Sequence, residues 1–348
     1  MKYCVIIIGL CFLGACSVIP KDTTPSAQTK RIETGMGPED MVLDELSESP
    51  RLLISCNDHR QQEKAPMGNI YQVDLMGNSL KSSVLPRVQE PAGLIFHPHG
   101  IDLLKDDEGK VCLFVISHDD FMNRHFVLKY QVFEDSLLFL AAYEHKLMHS
   151  PNAVVAKTDG GFYISNDHGK RGNNLELILK QKKGNIVYCD SDTNWVTVAD
   201  KLIFPNGLSI AKEKHSQYLY VATTIHNHVF RYEMDKDGNL LEREKVSKLV
   251  GGDNMRQYND LLLVPGHLRT LAFVRHFKDP NKPSPSVVYA VDRKGKQQHV
   301  LYSNKKGDQI GAASTAVIYK DHMYISQVFQ PFILQVQLSP KTKSLLSQ

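Results

Sequence analysis

The sequence predicts an all-β chain folded as a six-bladed β-propeller. Three observations support this: a motif that recurs six times at blade-length spacing, hairpin strands after each copy, and almost no sign of long helices. The motif is a polar residue set just ahead of an apolar run. It occurs as GPEDMVL from Gly37, FHPHGIDLL from Phe96, HSPNAVVAK from His149, FPNGLSIAK from Phe204, GGDNMRQ from Gly251 and AASTAVIYK from Ala312. Its polar anchors are Glu39, His99, Asn152, Asn206, Asp253 and Ser314, separated by 60, 53, 54, 47 and 61 residues. A period of this length marks a repeat architecture, and a small sheet repeated radially is a propeller blade.

Each anchor is followed by a β-rich run: LLISCND from Leu52, CLFVISHD from Cys112, GFYISNDH from Gly161, YLYVATTIHN from Tyr218, LRTLAFVRH from Leu268 and HMYISQVF from His322. An Ile-Ser pair recurs at Ile54-Ser55, Ile116-Ser117, Ile164-Ser165 and Ile325-Ser326. A third run then alternates, as in GNIYQVDL from Gly68 or HVFRYEMD from His228. Val, Ile, Tyr and Phe fill these runs, and Gly, Asn and Asp punctuate them, as hairpins require. Only a short helix is expected, over Asn173 to Gln181. The propeller is therefore read as one domain over residues 35–340, each unit having three to four strands.

The first fifteen residues resemble a processing signal. Lys2 precedes a ten-residue apolar run, Cys4 to Leu13, too short to span a bilayer, which needs about 20 apolar residues. Leu13-Gly14-Ala15-Cys16 resembles a lipobox, which predicts a lipid on Cys16, a polar tether over 16–34, and an anchor in a bacterial outer membrane. Such a tether reaches roughly 25 Å. A net charge of +3 with scattered basic residues speaks against nucleic acid as a partner. The remaining cysteines, Cys56, Cys112 and Cys189, lack metal-ligand spacing and are read as small apolar strand residues.

The first strand of a propeller blade lines the central channel, so the anchors converge at its mouth. Glu39, Asn152, Asn206, Asp253 and Asn254 then offer two carboxylates and three amides, all hard oxygen donors, which is a calcium set rather than a zinc set. The second strand returns to the same face. That makes His118 a neighbour of His99 and brings Asp167 and His168 beside Asn152. A histidine pair near a cation suits general-base chemistry. His97, two residues from His99, faces away and is read as structural.

These residues resemble the serum paraoxonase/arylesterase family from about Glu33 to Leu338. The matching pieces are ETG…EDM at 33–41, HPHGI at 97–101, SHDD at 117–120, PNAVVA at 151–156, SNDH at 165–168, FPNG at 204–207, DNM at 253–255, PGH at 265–267 and STAVIYK…YISQVF at 314–329. The resemblance implies a calcium-dependent lactonase that also takes aryl esters. Its catalytic calcium would lie on Glu39, Asn152, Asn206, Asp253 and Asn254, with His99 and His118 as a dyad and Phe204 and His267 as pocket walls. It also implies a second, structural calcium, for which Asp40 and the backbone of Ile101 match two ligands. The third ligand is Asp in the family and Ala153 here, so the chain offers that ion one ligand fewer. The family's aromatic lid after NDH is replaced by GKRGNNLELILKQ at 169–181. The alternatives are a sugar-lactonase or strictosidine-synthase-like propeller enzyme, and a lipoprotein whose propeller binds a partner without catalysis. No G-x-S-x-G motif occurs, which argues against a serine hydrolase.

Overall fold

The computed structural model describes residues 28–61, 67–77 and 79–347. The strands within them form six sheets, five of four strands and one of five. Five inner strands begin one residue before their anchor, Pro38–Asp44, Pro98–Lys105, Pro151–Ala156, Pro205–Glu213 and Ala313–Tyr319, and the sixth, Arg256–Tyr258, begins three residues after Asp253. Proline heads four of these strands, where its missing N–H takes no ladder bond away. The anchors therefore sit at one end of six strands gathered around one axis.

Alternation within each strand builds the core. On Val111–Asp119, Leu113 and Val115 face a cluster shared with blade 1, whereas Cys112, Phe114 and Ile116 face one shared with blade 3. This period of two feeds both neighbours from one strand. Six such clusters occur, one at each blade-to-blade seam. Cys56, Cys112 and Cys189 are buried, unpaired members of these seams.

Three expectations need correction. Thr29–Glu33, assigned to the tether, pairs antiparallel with Phe332–Gln337 and completes the last blade. Its apolar residue Ile32 is buried in the seam between blades 6 and 1, so the first described strand closes the ring against the last strand. The fold also runs past residue 340, because the helix Pro340–Leu346 buries Leu346 in the seam of blades 5 and 6. In blade 5 the expected strand from Leu268 is a helix, Thr270–Lys278, and the second strand is Leu261–His267. Pro265 lies inside that strand without harm. Its carbonyl accepts the Asp253 N–H at 2.9 Å, and its nitrogen faces the same inner side, beyond the end of the short strand Arg256–Tyr258. Cys16 and the leader, with residues 16–27 of the expected tether, lie outside the described residues. No helix among those described is long and apolar enough to cross a membrane.

Candidate active site at the channel mouth

The anchors are tied to one another through their backbones. Ser55 Oγ accepts the Asp40 N–H of its own blade and donates to the carbonyl of His99 in the next, at 3.2 and 2.6 Å. Ser165 links Ala153 to Asn206, and Ser326 links Thr315 to Glu39, in the same way. The recurrent Ile-Ser pair is thus a relay from blade to blade. Ser117 departs from it, serving His97 and Ile95 instead. Elsewhere the backbone closes the ring directly: Gly207 N–H bonds to Asp253 O, and Asn254 N–H to Ser314 O. Blade 2 meets blade 3 at Gly100, where a Cβ would lie 2.4 Å from Asn152 O. Only glycine tolerates that approach.

One arc of the mouth holds Asn206, Asp253 and Asn254. Asn206 Nδ2 donates to Asp253 Oδ1 at 2.5 Å, and Asn254 Nδ2 to Ser314 Oγ at 3.2 Å. His267 Nε2 lies 2.9 Å from Asp253 Oδ2. His267 thus fixes a carboxylate rather than merely lining a wall, and its ring packs on Phe273 of the helix above. Phe204 meets the ring of His168 edge-on.

The opposite arc is a row of histidines. Glu39 faces His59 at 2.9 Å and His99 at 3.3 Å. Ring centroids then step from His59 to His99, His118 and His125 at 5.3, 5.1 and 5.0 Å. His118 Nδ1 and His125 Nδ1 are 3.0 Å apart, so one of them is protonated there. The His97 ring meets the His118 carbonyl. Between the arcs, Asn152 Nδ2 donates to Asp167 at 3.2 Å, and Asp167 also receives Ser150 Oγ and binds His168 Nδ1.

Burial pushes the Glu39 carboxyl up, but His59 and His99 outweigh it and hold it at about 2. Burial also lowers His99, against the pull of Glu39, and takes His118 well below its ordinary value. It brings His125 to about 4. These three rings are therefore neutral at pH 7. His168 is raised, because Asp167 outweighs its burial. Arg171, held by Asp120 at 2.7 Å, adds positive charge that acts on Glu39, His99, His118 and Asp167.

The donor set fits a hard cation. Asn206 Oδ1 is a buried acceptor without a hydrogen bond, a costly state in the absence of a partner, and Glu39 Oε2 is met only by His59 Nε2 at 2.9 Å. Asn152, Asn206 and Asn254 each direct their amide N–H at a neighbouring oxygen, which turns the other end of each amide away as a free acceptor. The residues that sequence reasoning missed are His59, His125 and Arg171. His59 lies in the turn three residues past Arg51–Cys56, and His125 lies near the start of the third strand Arg124–Val132, directly opposite His118, so the rule for the second strand's end reached neither.

The residues expected to hold the second ion do come together, but not as an open cradle. Arg256 Nη2 lies 2.8 Å from Asp40 Oδ1, 2.8 Å from Asp40 Oδ2 and 2.8 Å from the Ile101 carbonyl oxygen. The expected donors are already engaged by a side chain, and Ala153 adds no oxygen. The residues present do not fit a second calcium.

Fold and mouth together define a six-bladed propeller with a buried, metal-competent polar cluster at one end of its channel. The sequence profile of the arylesterase family matches residues 59–334, and the chain belongs to that family. It is 28% identical to serum paraoxonase/arylesterase 2 of Canis lupus familiaris over 271 residues, covering 75% of each chain. It is 29% identical to serum paraoxonase/arylesterase 1 of Rattus norvegicus, covering 77% of this chain and 72% of the relative. Among solved structures, a luciferin-regenerating enzyme superposes with a TM-score of 0.57 at 10% identity, covering 89% of this chain and 94% of that one. A gluconolactonase-like propeller gives 0.54 at 15% identity, covering 92% and 97%. At these identities the two structures speak for the fold alone.

Proposed function

We propose that this chain hydrolyses lactones and aryl or other carboxylic esters, with calcium held at the mouth by Glu39, Asn152, Asn206, Asp253 and Asn254. The observation that carries this is a buried Glu39 carboxylate and an unpartnered Asn206 Oδ1 at the mouth, with neutral histidines alongside. Membership of the arylesterase family supports the ester and lactone chemistry. Calcium bound there supplies a Lewis acid for the substrate carbonyl and its developing oxyanion. His99 takes the proton of the attacking water. Glu39, 3.3 Å from His99 Nε2, stabilises the imidazolium that results. His118 and His125 continue the row and hold or return that proton. Asp167 and His267 position Asn152 and Asp253.

The test is to assay δ-lactones, acyl-homoserine lactones and phenyl acetate with and without a calcium chelator. Turnover that the chelator abolishes and calcium restores supports the proposal. No turnover with any of the three would favour a binding propeller. We further propose that Cys16 carries a lipid tethering the propeller to a bacterial outer membrane. Mass spectrometry of the purified N-terminal peptide would show the acyl chains, and an unmodified Cys16 would end that reading.

A further inference from the structure

One to three residues along from the mouth, the same inner strands build a second polar centre, and every charged atom in it is satisfied. Asp40 is 1% exposed. It accepts from Met41 N–H, Ile101 N–H and Thr315 Oγ1, and it takes Arg256 Nη2 against both of its oxygens. Arg256 Nε donates to Met41 O at 2.9 Å, and Nη1 to Met255 O at 3.2 Å. One guanidinium thus ties together strands of blades 1 and 2 from its own position in blade 5. A buried divalent cation would perform the same task.

We infer that Arg256, its side chain 13% exposed, stands in for the structural calcium that the family resemblance implies, so that the chain carries its own cation in the cradle and needs no second ion. Charge supports this. Relative to the family pattern, the cradle loses one carboxylate at Ala153 and exchanges a doubly charged ion for a singly charged guanidinium, so its charge balance is kept. Burying an uncompensated charge would cost several kcal/mol. Distance agrees as well: 2.8 Å is an N–H···O length, longer than the 2.3–2.6 Å at which oxygens surround calcium. Position 153 is the right place for the lost ligand. Ala153 N–H bonds to Ser165 Oγ just as Asp40 bonds to Ser55 and Thr315 to Ser326. Ala153 is therefore in phase with two side chains that meet each other in the channel.

The experiment counts calcium per chain by native mass spectrometry for the full protein, Arg256→Lys, Arg256→Ser, and Ala153→Asp with Arg256→Ser. The double variant is expected to hold one calcium more than the unaltered chain, and calcium should raise its melting temperature. Arg256→Lys keeps the charge and should hold no extra ion. Two calcium ions on the unaltered chain, or an extra ion on Arg256→Lys, would overturn the inference, whereas an extra ion on Arg256→Ser alone would support it. A folded double variant with an unchanged count would also overturn it. The mouth calcium is read separately, from the unaltered chain. A count of zero there defeats the proposed function and leaves the difference between the chains intact.

Discussion

Two polar centres lie one to three residues apart along the same strands, and they differ in satisfaction. At the mouth, Asn206 Oδ1, His99 Nδ1, and Nε2 of His118 and His125 are buried without hydrogen bonds, and Glu39 is met only by His59 and His99. In the cradle, Asp40 and Arg256 have no such atom. Buried polar groups are usually paired, so unpaired ones demand an explanation. The cradle holds the ring together and is complete as folded. The mouth is left incomplete, which costs stability and prepares the site for a ligand.

The largest effect is expected at the two carboxylates of the mouth. Asp253→Asn or Glu39→Gln should lower kcat/KM by at least about 100- to 1,000-fold, the loss expected when oxyanion stabilisation is removed. Asp253→Asn should change the melting temperature little, whereas Glu39→Gln should lower it, because the fold holds the Glu39 carboxyl well below its ordinary value. A variant retaining full activity would remove the calcium assignment. In the cradle the same logic inverts. Arg256→Met leaves the Asp40 charge buried and unpaired, which costs about 3–5 kcal/mol. Urea unfolding should show that loss, while the folded fraction keeps its specific activity. If stability were unchanged, the contrast between the two centres would fail.

Within the mouth the histidines should grade by distance from Glu39. His99→Gln is expected to cost on the order of 100-fold or more in kcat, the range for a general base. His118→Gln should cost about tenfold, because it acts through its neighbour. Equal losses at the two positions would mean that they share the role, and the order of the row would need revision.

The sequence revealed these two centres unequally. The mouth was legible because its anchors head repeated strands, so one phase located Glu39, Asn152, Asn206 and Asp253 together. Asp40 and Ile101 came only through the family resemblance, and Arg256 not at all. Arg256 lies 216 positions from Asp40 in sequence, in a blade whose strands were misplaced. That misplacement has a physical source. The run LRTLAFVRH is β-prone by composition, yet it folds as the helix Thr270–Lys278. Phe273 packs on His267 and Phe329, and Arg60 caps the last turn at the His276 and Phe277 carbonyls, at 2.9 and 3.0 Å. A guanidinium at a helix C-terminus is favourable, but a partner that distant leaves no local signal. The closing strand Thr29–Glu33 was hidden for the same reason, since its mate is Phe332–Gln337.

The smallest expected effect separates the centres by pH. In the fold, burial lowers His125 to about 4 and also lowers His99 and His118, whereas in the unfolded chain each titrates near about 6.5. Between these values the unfolded chain binds protons that the fold refuses, so stability falls as pH drops from about 6.5 towards 4. Glu39 acts in a lower window. Its folded value of about 2 lies below its ordinary 4.5, so its contribution is present above 4.5 and is lost as pH falls towards 2. Melting curves in chelator should therefore decline in two stages, and His125→Gln should make the upper stage shallower, with His99 and His118 keeping the rest of it, while leaving the lower one. The slope, rather than the absolute stability of the variant, is the readout, so a general weakening by the substitution does not mimic it. An upper stage that keeps its full slope in His125→Gln would show that His125 does not carry the refused proton.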